Sequence, residues 1–431
     1  MLHTNLDIND QGHLTFAGRD TVELAGKHGT PLYLMDQARV RQRCREYLTA
    51  MREHFGPDAL PLYASKALCC KELYRIVAEE GLGTDIVSPG ELYTAHAAGF
   101  PMEKAYFHGN NKTDADIRYA MELGIGHFIA DNREELHAIS REATGRGITQ
   151  KVILRVTPGI DPHTHAAITT GKVDSKFGTA IETGQALELT REILTLPGID
   201  LVGIHCHVGS LCFDSKPFLD AADIMIAFMA KVRAETGHTL GVLNLGGGYG
   251  VRYIEGHPQI DIPDNIRQVA EHVRAQCAAK DFPLPQVLLE PGRSIVADAG
   301  LTLYTAGSVK EIPGFRSYVS VDGGMTDNPR YTLYQSQYTV LNASRASASA
   351  DWECTVAGRC CESGDLLAEG VKIAQPKRGD IIAVLVTGAY NYSMASNYNR
   401  IPRPPVVMIS AGKPYVAVRR ETYEDIISLD V

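Results

Sequence analysis

The sequence has no long run of lysine or arginine and no long apolar run. Its net charge is -9, whereas binding to DNA or RNA requires a basic surface. The most apolar stretch, Ile381 to Val386, is far too short to cross a bilayer, and the first residues carry no basic segment followed by an apolar one. We therefore expect a soluble cytoplasmic protein that binds neither nucleic acid nor a membrane.

The motifs of several enzyme classes are also absent. The nine cysteines form no CxxC pair, and the adjacent pairs Cys69-Cys70 and Cys360-Cys361 suit neither zinc ligation nor an ordinary disulfide. The sequence contains no HExxH, no P-loop and no GxSxG motif. We therefore expect no metal site, and the simplest metalloprotease, P-loop and serine-hydrolase interpretations are excluded.

The chain does contain a regular alternation of short apolar strands and amphipathic helices. Its 431 residues are 44% hydrophobic and 22% charged, enough for about two to three domains. Eight strands can be counted: Leu60–Lys66, Thr84–Val87, Ala105–His108, His127–Ala130, Val152–Val156, Leu201–His205, Val242–Leu245 and Val287–Leu289. This count predicts an α/β fold with a (β/α)8 barrel, which we assign to residues 35–297. Ser88 to Glu91 is expected to form a capping box, and Asp131 to cap another helix.

A change of pattern after Arg293 indicates a second domain. Strands without long intervening helices are predicted at Leu301–Val309, Ser317–Val321, Trp352–Val356, Ile381–Val386 and Pro405–Ile409. We assign residues 298–431 to a mostly β domain together with residues 1–34. His13 to Phe16 is expected to join its sheet.

Polar residues stand at the ends of most barrel strands, where the chemistry of this fold takes place. They are Lys66, Asp85, Asn110, Arg155, His207, the tract Gly246-Gly247-Gly248, and Glu290. In a partly desolvated pocket Lys66 loses proton affinity and can form a Schiff base with an aldehyde. The glycine tract and Gly292-Arg293 follow strands seven and eight, where barrels often bind phosphate. This combination predicts pyridoxal 5'-phosphate as the cofactor.

Glu290 is then expected to hold the pyridine nitrogen in its protonated form, so that the ring accepts electrons. His207 is expected to stack on the ring and Ser210 to contact the phosphate. Structural alternatives remain open for each group. Glu290 could instead form an ion pair with Arg293, the glycines could serve only a tight turn, and His207 could be a hydrogen-bonded core histidine.

With these motifs in order, the chain resembles the fold-type III pyridoxal-phosphate decarboxylases over nearly its whole length. The resemblance rests on Tyr63-Ala64-Ser65-Lys66-Ala67, Asp85-Ile86-Val87-Ser88-Pro89-Gly90-Glu91-Leu92, Ser175-Lys176-Phe177-Gly178, His205-Cys206-His207-Val208-Gly209-Ser210, Gly246-Gly247-Gly248, Glu290-Pro291-Gly292-Arg293, Cys361-Glu362-Ser363-Gly364-Asp365 and Gly388-Ala389-Tyr390. It implies that Tyr390 reaches the cofactor or substrate. It also implies a homodimer in which Cys361 and Glu362 enter the active site of the other subunit.

Within that family the chain is most similar to the branch that decarboxylates meso-diaminopimelate to L-lysine. Arg330 and Tyr334, together with Arg293, match the donors that branch presents to a second carboxylate, and Glu362 would meet the distal ammonium. The family commonly has Ile-Arg-Pro-Ala-Leu-Tyr where this chain has Pro329 to Tyr334, and Leu211 replaces a frequent glutamine. A surface position for Arg330 is the structural alternative.

Two questions stay open at the level of sequence. Cys361 or Lys66 is a candidate to return the proton after carbon dioxide leaves, although Cys361 could equally be a packing residue. The alternative functions are decarboxylation of ornithine, D-lysine or carboxynorspermidine, and a non-catalytic regulator that uses the dimer surface. A racemase is disfavoured because the acid Glu290 favours full stabilisation of the carbanion.

Overall fold

The computed structural model describes residues 2–159 and 175–431, and their contacts divide the chain into two units. The barrel unit contains Arg43–Gly250 and Gln259–Gly292, and the β-rich unit contains Met1–Gln42, Val251–Pro258 and Arg293–Val431. The motif Ser175-Lys176-Phe177-Gly178 lies entirely within the described range 175–431. No helix among the described residues has the length and apolar character that a membrane span requires.

The β-rich unit begins with a three-stranded sheet of its own. Strands β1 (Leu6–Ile8), β2 (Leu14–Phe16) and β3 (Arg19–Asp20) pair antiparallel. The strand expected at His13 to Phe16 is present as β2, but it pairs with β1 and β3. The expectation that it joins the larger sheet is therefore wrong. Helix α1 (Thr21–His28) follows, and the fully buried strand β4 (Leu32–Asp36) precedes helix α2 (Gln37–Phe55).

The predicted (β/α)8 barrel is confirmed. Its strands are β5 (Leu60–Ala64), β6 (Gly83–Ile86), β7 (Ala105–Phe107), β8 (His127–Ala130), β9 (Gln150–Thr157) with the two-residue β10 (Thr179–Ala180) beside it, β11 (Ile199–His205), β12 (Val242–Asn244) and β13 (Gln286–Leu289). Each barrel strand pairs in parallel with the next, and β13 pairs with β5 to close the ring. The helices of this unit after α2 are α3 (Lys71–Glu79), α4 (Pro89–Ala97), α5 (Asp114–Glu122), α6 (Arg133–Arg146), α7 (Gln185–Ile193), α8 (Lys216–Thr236) and α9 (Ile262–Ala279).

Inward-facing side chains fill the barrel, because alternate residues of each strand point to its interior. One cluster of buried residues comprises Leu62, Tyr106, Ile129, Ile153, Val242 and Leu288. Each of these residues comes from a different strand. The interior is therefore a packed core, and polar side chains are left to the strand ends.

Two predicted helix starts differ in detail from the structure. Ser88 caps α4 as expected, but Glu91 accepts from the backbone N–H of Val87 and does not complete a capping box. Helix α6 is capped by Asn132, so the assignment of that role to Asp131 is wrong by one residue. Asp131 instead accepts a hydrogen bond from Gly178 N at 3.1 Å.

The predicted second, mostly β domain is also confirmed. Its elements after the barrel are α10 (Arg293–Val296), β14 (Gly300–Ile312), β15 (Arg316–Val321), α11 (Arg330–Tyr334), β16 (Val340–Asn342), β17 (Trp352–Ala357), β18 (Leu366–Ile373), β19 (Ile381–Leu385), β20 (Val406–Ser410), β21 (Lys413–Val418) and α12 (Tyr423–Ile427). One sheet runs in the order β18-β17-β15-β14-β4-β20-β21, and β19 pairs with both β14 and β16. The long strand β14 links these pairings.

Candidate active site

The carboxyl ends of the barrel strands carry the residues that the sequence singled out. Lys66 is the second residue after β5 and lies in a one-turn 3-10 helix, Ser65–Ala67, whereas Glu290 directly follows β13. Asp85 lies in β6 and Arg155 lies in β9. The carboxyl ends of parallel strands meet at one face of a barrel, so these side chains occur at the same end of the unit. The structure thereby brings together the predicted residues of the barrel unit.

Glu290 is a buried carboxylate with three polar neighbours. Asn244 donates from Nδ2 to Glu290 Oε1 at 2.7 Å, and His205 Nε2 lies 3.2 Å from Oε2. His108 Nε2 lies 2.9 Å from Oε1. Burial alone would raise the pKa of Glu290, but the adjacent His108 and His205 lower it well below its usual value. Glu290 is therefore ionised at neutral pH.

Asp85 and Arg155 belong to the same buried group. Asp85 Oδ1 lies 3.7 Å from His108 Nε2, and among the described residues this oxygen has no hydrogen-bond partner. Burial raises the pKa of Asp85, and the charge of His108 opposes that effect. The guanidinium of Arg155 lies 4.4 Å from the ring centre of Phe177 and 3.8 Å from Asp131 Oδ1.

His207 is half-buried, and the backbone fixes its tautomer. The N–H of Gly247 donates to His207 Nδ1 at 3.2 Å, so the proton of the neutral ring is on Nε2. Burial and the charge of Lys66 lower the pKa of His207 well below its usual value. His207 is thus a neutral ring with a fixed orientation, and Lys66 itself is exposed in the single chain.

The glycine tract is required by the packing of the barrel backbone. A Cβ at Gly247 would lie 2.0 Å from the carbonyl oxygen of Glu290, and a Cβ at Gly246 would lie 2.6 Å from that of Cys206. Gly248 has φ +130, and its Cβ would lie 2.3 Å from the carbonyl oxygen of Gly209. The structural reason for these glycines is therefore present whether or not they also bind phosphate. Ser210 is half-buried.

The two residues of the predicted Gly292-Arg293 phosphate turn belong to different units in sequence. Gly292 is buried in the barrel unit, where a Cβ would lie 2.9 Å from Cβ of Ala64. Arg293 opens α10 of the β-rich unit, and its Nη1 donates to the hydroxyl of Tyr253 at 2.7 Å.

Two buried arginines of the β-rich unit share one tyrosine ring. The guanidinium carbon of Arg293 lies 4.7 Å from the ring centre of Tyr390, and that of Arg330 lies 5.4 Å from the same ring. Arg330 also lies 5.4 Å from the ring centre of Tyr334, four residues on in α11. Tyr390 has φ +64, a left-handed conformation that non-glycine residues seldom adopt. The Arg-to-Tyr spacing read from the sequence thus places both side chains on one helical turn.

Arg330 is 6% exposed, which excludes its surface alternative. Among the described residues it forms no ion pair, and its Nε has no hydrogen-bond partner. Its Nη2 donates only to Ser336 Oγ at 3.3 Å. A buried guanidinium without an acid is costly, so this arrangement suits an anionic ligand.

Cys361 and Glu362 are exposed in the single chain. The backbone N–H of Cys361 donates to Asn399 Oδ1 at 2.8 Å, and Glu362 Oε1 accepts from Gly364 N at 3.1 Å. Both residues are therefore held on a surface turn with their side chains accessible.

Four polar residues of these clusters were not proposed from the sequence. His108, His205 and Asn244 surround Glu290, and Tyr253 binds Arg293. His108, His205 and Asn244 stand at the ends of β7, β11 and β12, so the rule that singled out Lys66 and Glu290 could have found them. No comparable signal marks Tyr253.

Comparison with known proteins agrees with this architecture. Residues 37–297 match the family model described as the pyridoxal binding domain of pyridoxal-dependent decarboxylases. The diaminopimelate decarboxylase of Bacillus subtilis is 45% identical over 430 residues, covering 100% of this chain and 98% of the relative. That of Halalkalibacterium halodurans is 44% identical over 429 residues, with the same coverage. The M. jannaschii diaminopimelate decarboxylase crystallised with L-lysine has a TM-score of 0.93 and 33% identity, covering 100% of this chain and 99% of that one.

The barrel and the matching domain define a pyridoxal-dependent decarboxylase. The full-length identities are specific for one branch of that class. The chain belongs to the diaminopimelate decarboxylase family.

Proposed function

We propose that this enzyme uses pyridoxal 5'-phosphate to convert meso-2,6-diaminopimelate into L-lysine and carbon dioxide. The observation that carries the substrate assignment is the buried Arg330, which has no acidic partner among the described residues. The names of the full-length relatives support the same activity.

The polar groups of the barrel unit fit this cofactor. Glu290 is ionised, and Asn244 and His205 reach its oxygens as hydrogen-bond donors. Such a buried anion suits a protonated pyridine nitrogen. The orphaned Oδ1 of Asp85 offers a second acceptor in the same group. Lys66 would bind the aldehyde through Nζ, His207 would stack on the ring, and Ser210, Gly246 to Gly248, Gly292 and Arg293 would hold the phosphate.

When bound, pyridoxal phosphate accepts the electrons that remain at the α-carbon as the carboxylate leaves as carbon dioxide. The residues of this chain then control where protons are held. Ionised Glu290 favours a proton on the ring nitrogen, and Arg155 offsets part of the negative charge of Asp85 and Glu290. A proton from Cys361 or Lys66 replaces the lost carboxylate and gives the amine product.

Substrate choice follows from charge at the distal end of the substrate. Arg330, with Tyr334 and Arg293, would bind the second carboxylate of diaminopimelate, and Tyr390 supports both guanidinium groups. Glu362 would pair with the distal ammonium. Ornithine lacks the distal carboxylate, so its binding would leave Arg330 buried and unpaired.

We further propose a homodimer in which Cys361 and Glu362 act in the site of the partner subunit. Their exposure in the single chain supports this assignment, because both side chains are accessible to a second copy.

The direct test is product analysis. Purified protein supplied with pyridoxal phosphate should release carbon dioxide and L-lysine from meso-diaminopimelate in equal amounts. Lys66→Ala should release neither, and borohydride should fix the cofactor to wild type only. A wild-type protein that binds the cofactor but leaves diaminopimelate unchanged would overturn the proposed substrate.

A further inference from the structure

Glu290 has two buried side-chain hydrogen-bond partners, Asn244 on Oε1 and His205 on Oε2. His205 ends β11, Asn244 ends β12 and Glu290 follows β13, and these strands are consecutive neighbours in the barrel. His108 follows β7, a strand that is not adjacent to any of these three. His205 is 1% exposed, His108 is 4% exposed and Glu290 is 7% exposed. The rings of His108 and His205 lie edge to face with their centres 4.9 Å apart.

Two histidines and a glutamate could also suggest a metal site, but their spacing argues against it. A tetrahedral zinc ion with ligand bonds of about 2.0–2.1 Å holds its donor atoms roughly 3.4 Å apart. Here Glu290 Oε1 lies 2.9 Å from His108 Nε2, and Oε2 lies 3.2 Å from His205 Nε2. Both distances are shorter than that spacing, and the contact of His205 with Oε2 is a hydrogen bond.

The position of each proton follows from the partners. The backbone N–H of Gly246 donates to Asn244 Oδ1 at 2.9 Å, so the amide turns its NH₂ group to Glu290. A carboxylate oxygen without a proton can only accept, and therefore His205 carries its hydrogen on Nε2. Burial lowers the pKa of His205 to about 4, so the ring is neutral at neutral pH. At neutral pH His205 thus acts on Glu290 as a hydrogen-bond donor.

We propose that His205 is a positioning residue that keeps Glu290 ionised and so places the proton of the Glu290–cofactor pair on the ring nitrogen. This inference rests on the proposed function, because it requires pyridoxal phosphate at Glu290. A carboxylate that accepts hydrogen bonds from both Asn244 and His205 is a weaker base than one that accepts from Asn244 alone. Without the His205 donor, the shared proton moves from the ring nitrogen toward Glu290.

The test is nitrogen NMR of the holoenzyme loaded with cofactor labelled with ¹⁵N in the ring. Wild type should show the signal of a protonated ring nitrogen. His205→Leu removes the donor and should move the signal toward that of the unprotonated ring, with kcat reduced on the order of 10²-fold. His205→Gln places an amide donor near the position of Nε2 and should restore the wild-type signal, although it cannot carry a charge.

The outcomes separate the two proposals. A wild-type protein that does not bind the cofactor contradicts the proposed function. A wild type with a protonated ring nitrogen and a His205→Leu variant with the same signal contradicts the role of His205 alone. If the leucine variant does not retain the cofactor, His205→Asn is measured in its place. The asparagine side chain is too short for its amide to reach Glu290, so the donor is again lost. An unchanged nitrogen signal in this variant also overturns the inference.

Discussion

Arg293 donates a hydrogen bond from Nη1 to the hydroxyl of Tyr253 at 2.7 Å, and both side chains are buried. The guanidinium carbon of Arg293 also lies 5.8 Å from the Tyr253 ring centre. Tyr253 in turn packs edge to face on Tyr338, with ring centres 5.3 Å apart. The orientation of Arg293 is therefore fixed by a tyrosine.

Replacing Tyr253 by phenylalanine tests this relationship. The variant keeps the ring contact with Tyr338 but removes the hydroxyl that accepts from Arg293. A hydrogen bond to a charged group contributes about 1.5–3 kcal/mol, so we expect KM for diaminopimelate to rise at least about tenfold. Tyr331→Phe is the matched control, because the Tyr331 hydroxyl donates to Glu369 at the surface. Equal KM values for the two variants would contradict the role of Tyr253.

Arg330→Leu tests whether the guanidinium of Arg330 binds a ligand or stabilises the fold. Truncating one member of a buried charge pair costs about 2–5 kcal/mol, so kcat/KM for diaminopimelate should fall on the order of 10²-fold or more. The unliganded protein should lose little stability, because no ion pair to a described residue is broken. Thermal unfolding measured with and without substrate checks both points. A variant that is strongly destabilised without substrate would show that Arg330 is structural.

Asn244→Asp places a second carboxylate against Glu290, at the position of a donor that now lies 2.7 Å from Oε1. Two like charges in a buried site cannot both ionise readily, so the pKa of Glu290 should rise. We expect weaker cofactor binding and a kcat lower on the order of 10²-fold. Asn244→Leu, of similar volume and without charge, should lose less. If Asn244→Leu loses more activity than Asn244→Asp, the hydrogen bond to Glu290 matters and the added negative charge does not.

Mixing two inactive variants tests the shared active site. If Cys361 is the proton donor in the partner's site, Lys66→Ala and Cys361→Ala should each be nearly inactive as pure proteins. In an equal mixture that exchanges subunits, half of the dimers are mixed and each of these has one intact site, giving about one quarter of wild-type activity. A mixture with no regained activity, despite subunit exchange shown by a tagged chain, would place both residues in the same subunit's site.

Two histidines, the buried His205 and the half-buried His127, make stability depend on pH. Burial lowers the pKa of His205 and of His127 to about 4 each, whereas an unfolded histidine titrates near 6.5. The unfolded state therefore binds more protons between these values, and stability falls as pH decreases from about 6.5 toward 4. Above about pH 6.5 the two histidines have no such effect.

His127→Phe should reduce this acid sensitivity. The imidazole of His127 stacks on Tyr106 with ring centres 4.3 Å apart, and phenylalanine keeps a ring in that place. The urea unfolding midpoints of wild type and His127→Phe, plotted against pH, should run parallel above about pH 6.5 and converge or cross below it. The reason is that wild type loses about 1.4 kcal/mol of unfolding free energy per pH unit for each such histidine. Parallel curves down to pH 5 would show that His127 does not contribute.

Local sequence patterns predicted the elements that repeat regularly, and non-local pairing limited the rest. The barrel strands were recognised because each apolar run is followed by a helical one. Leu14 to Phe16 was recognised as a strand but given the wrong sheet, since strand partners depend on contacts that spacing does not encode. Strand β4 was not predicted at all, although Leu32 to Met35 is a continuous apolar run.

The candidate site shows the same division. Strand-end position identified Lys66, Asp85, Arg155 and Glu290 as a group. The strand-end rule also applies to His108, His205 and Asn244, but it does not give their partner, and only the closed barrel shows that they face Glu290. Tyr253 was missed for a stronger reason, since its contact with Arg293 joins residues forty positions apart outside any repeated pattern.

The most direct test of the whole account is the comparison of substrates with the wild-type enzyme. With pyridoxal phosphate present, kcat/KM for carbon dioxide release should be measured for meso-diaminopimelate, L-ornithine, D-lysine and carboxynorspermidine. We predict that diaminopimelate exceeds each of the others on the order of 10³-fold or more, because the other substrates leave the buried guanidinium of Arg330 unpaired. Equal or faster turnover of a substrate without the distal carboxylate would contradict the account.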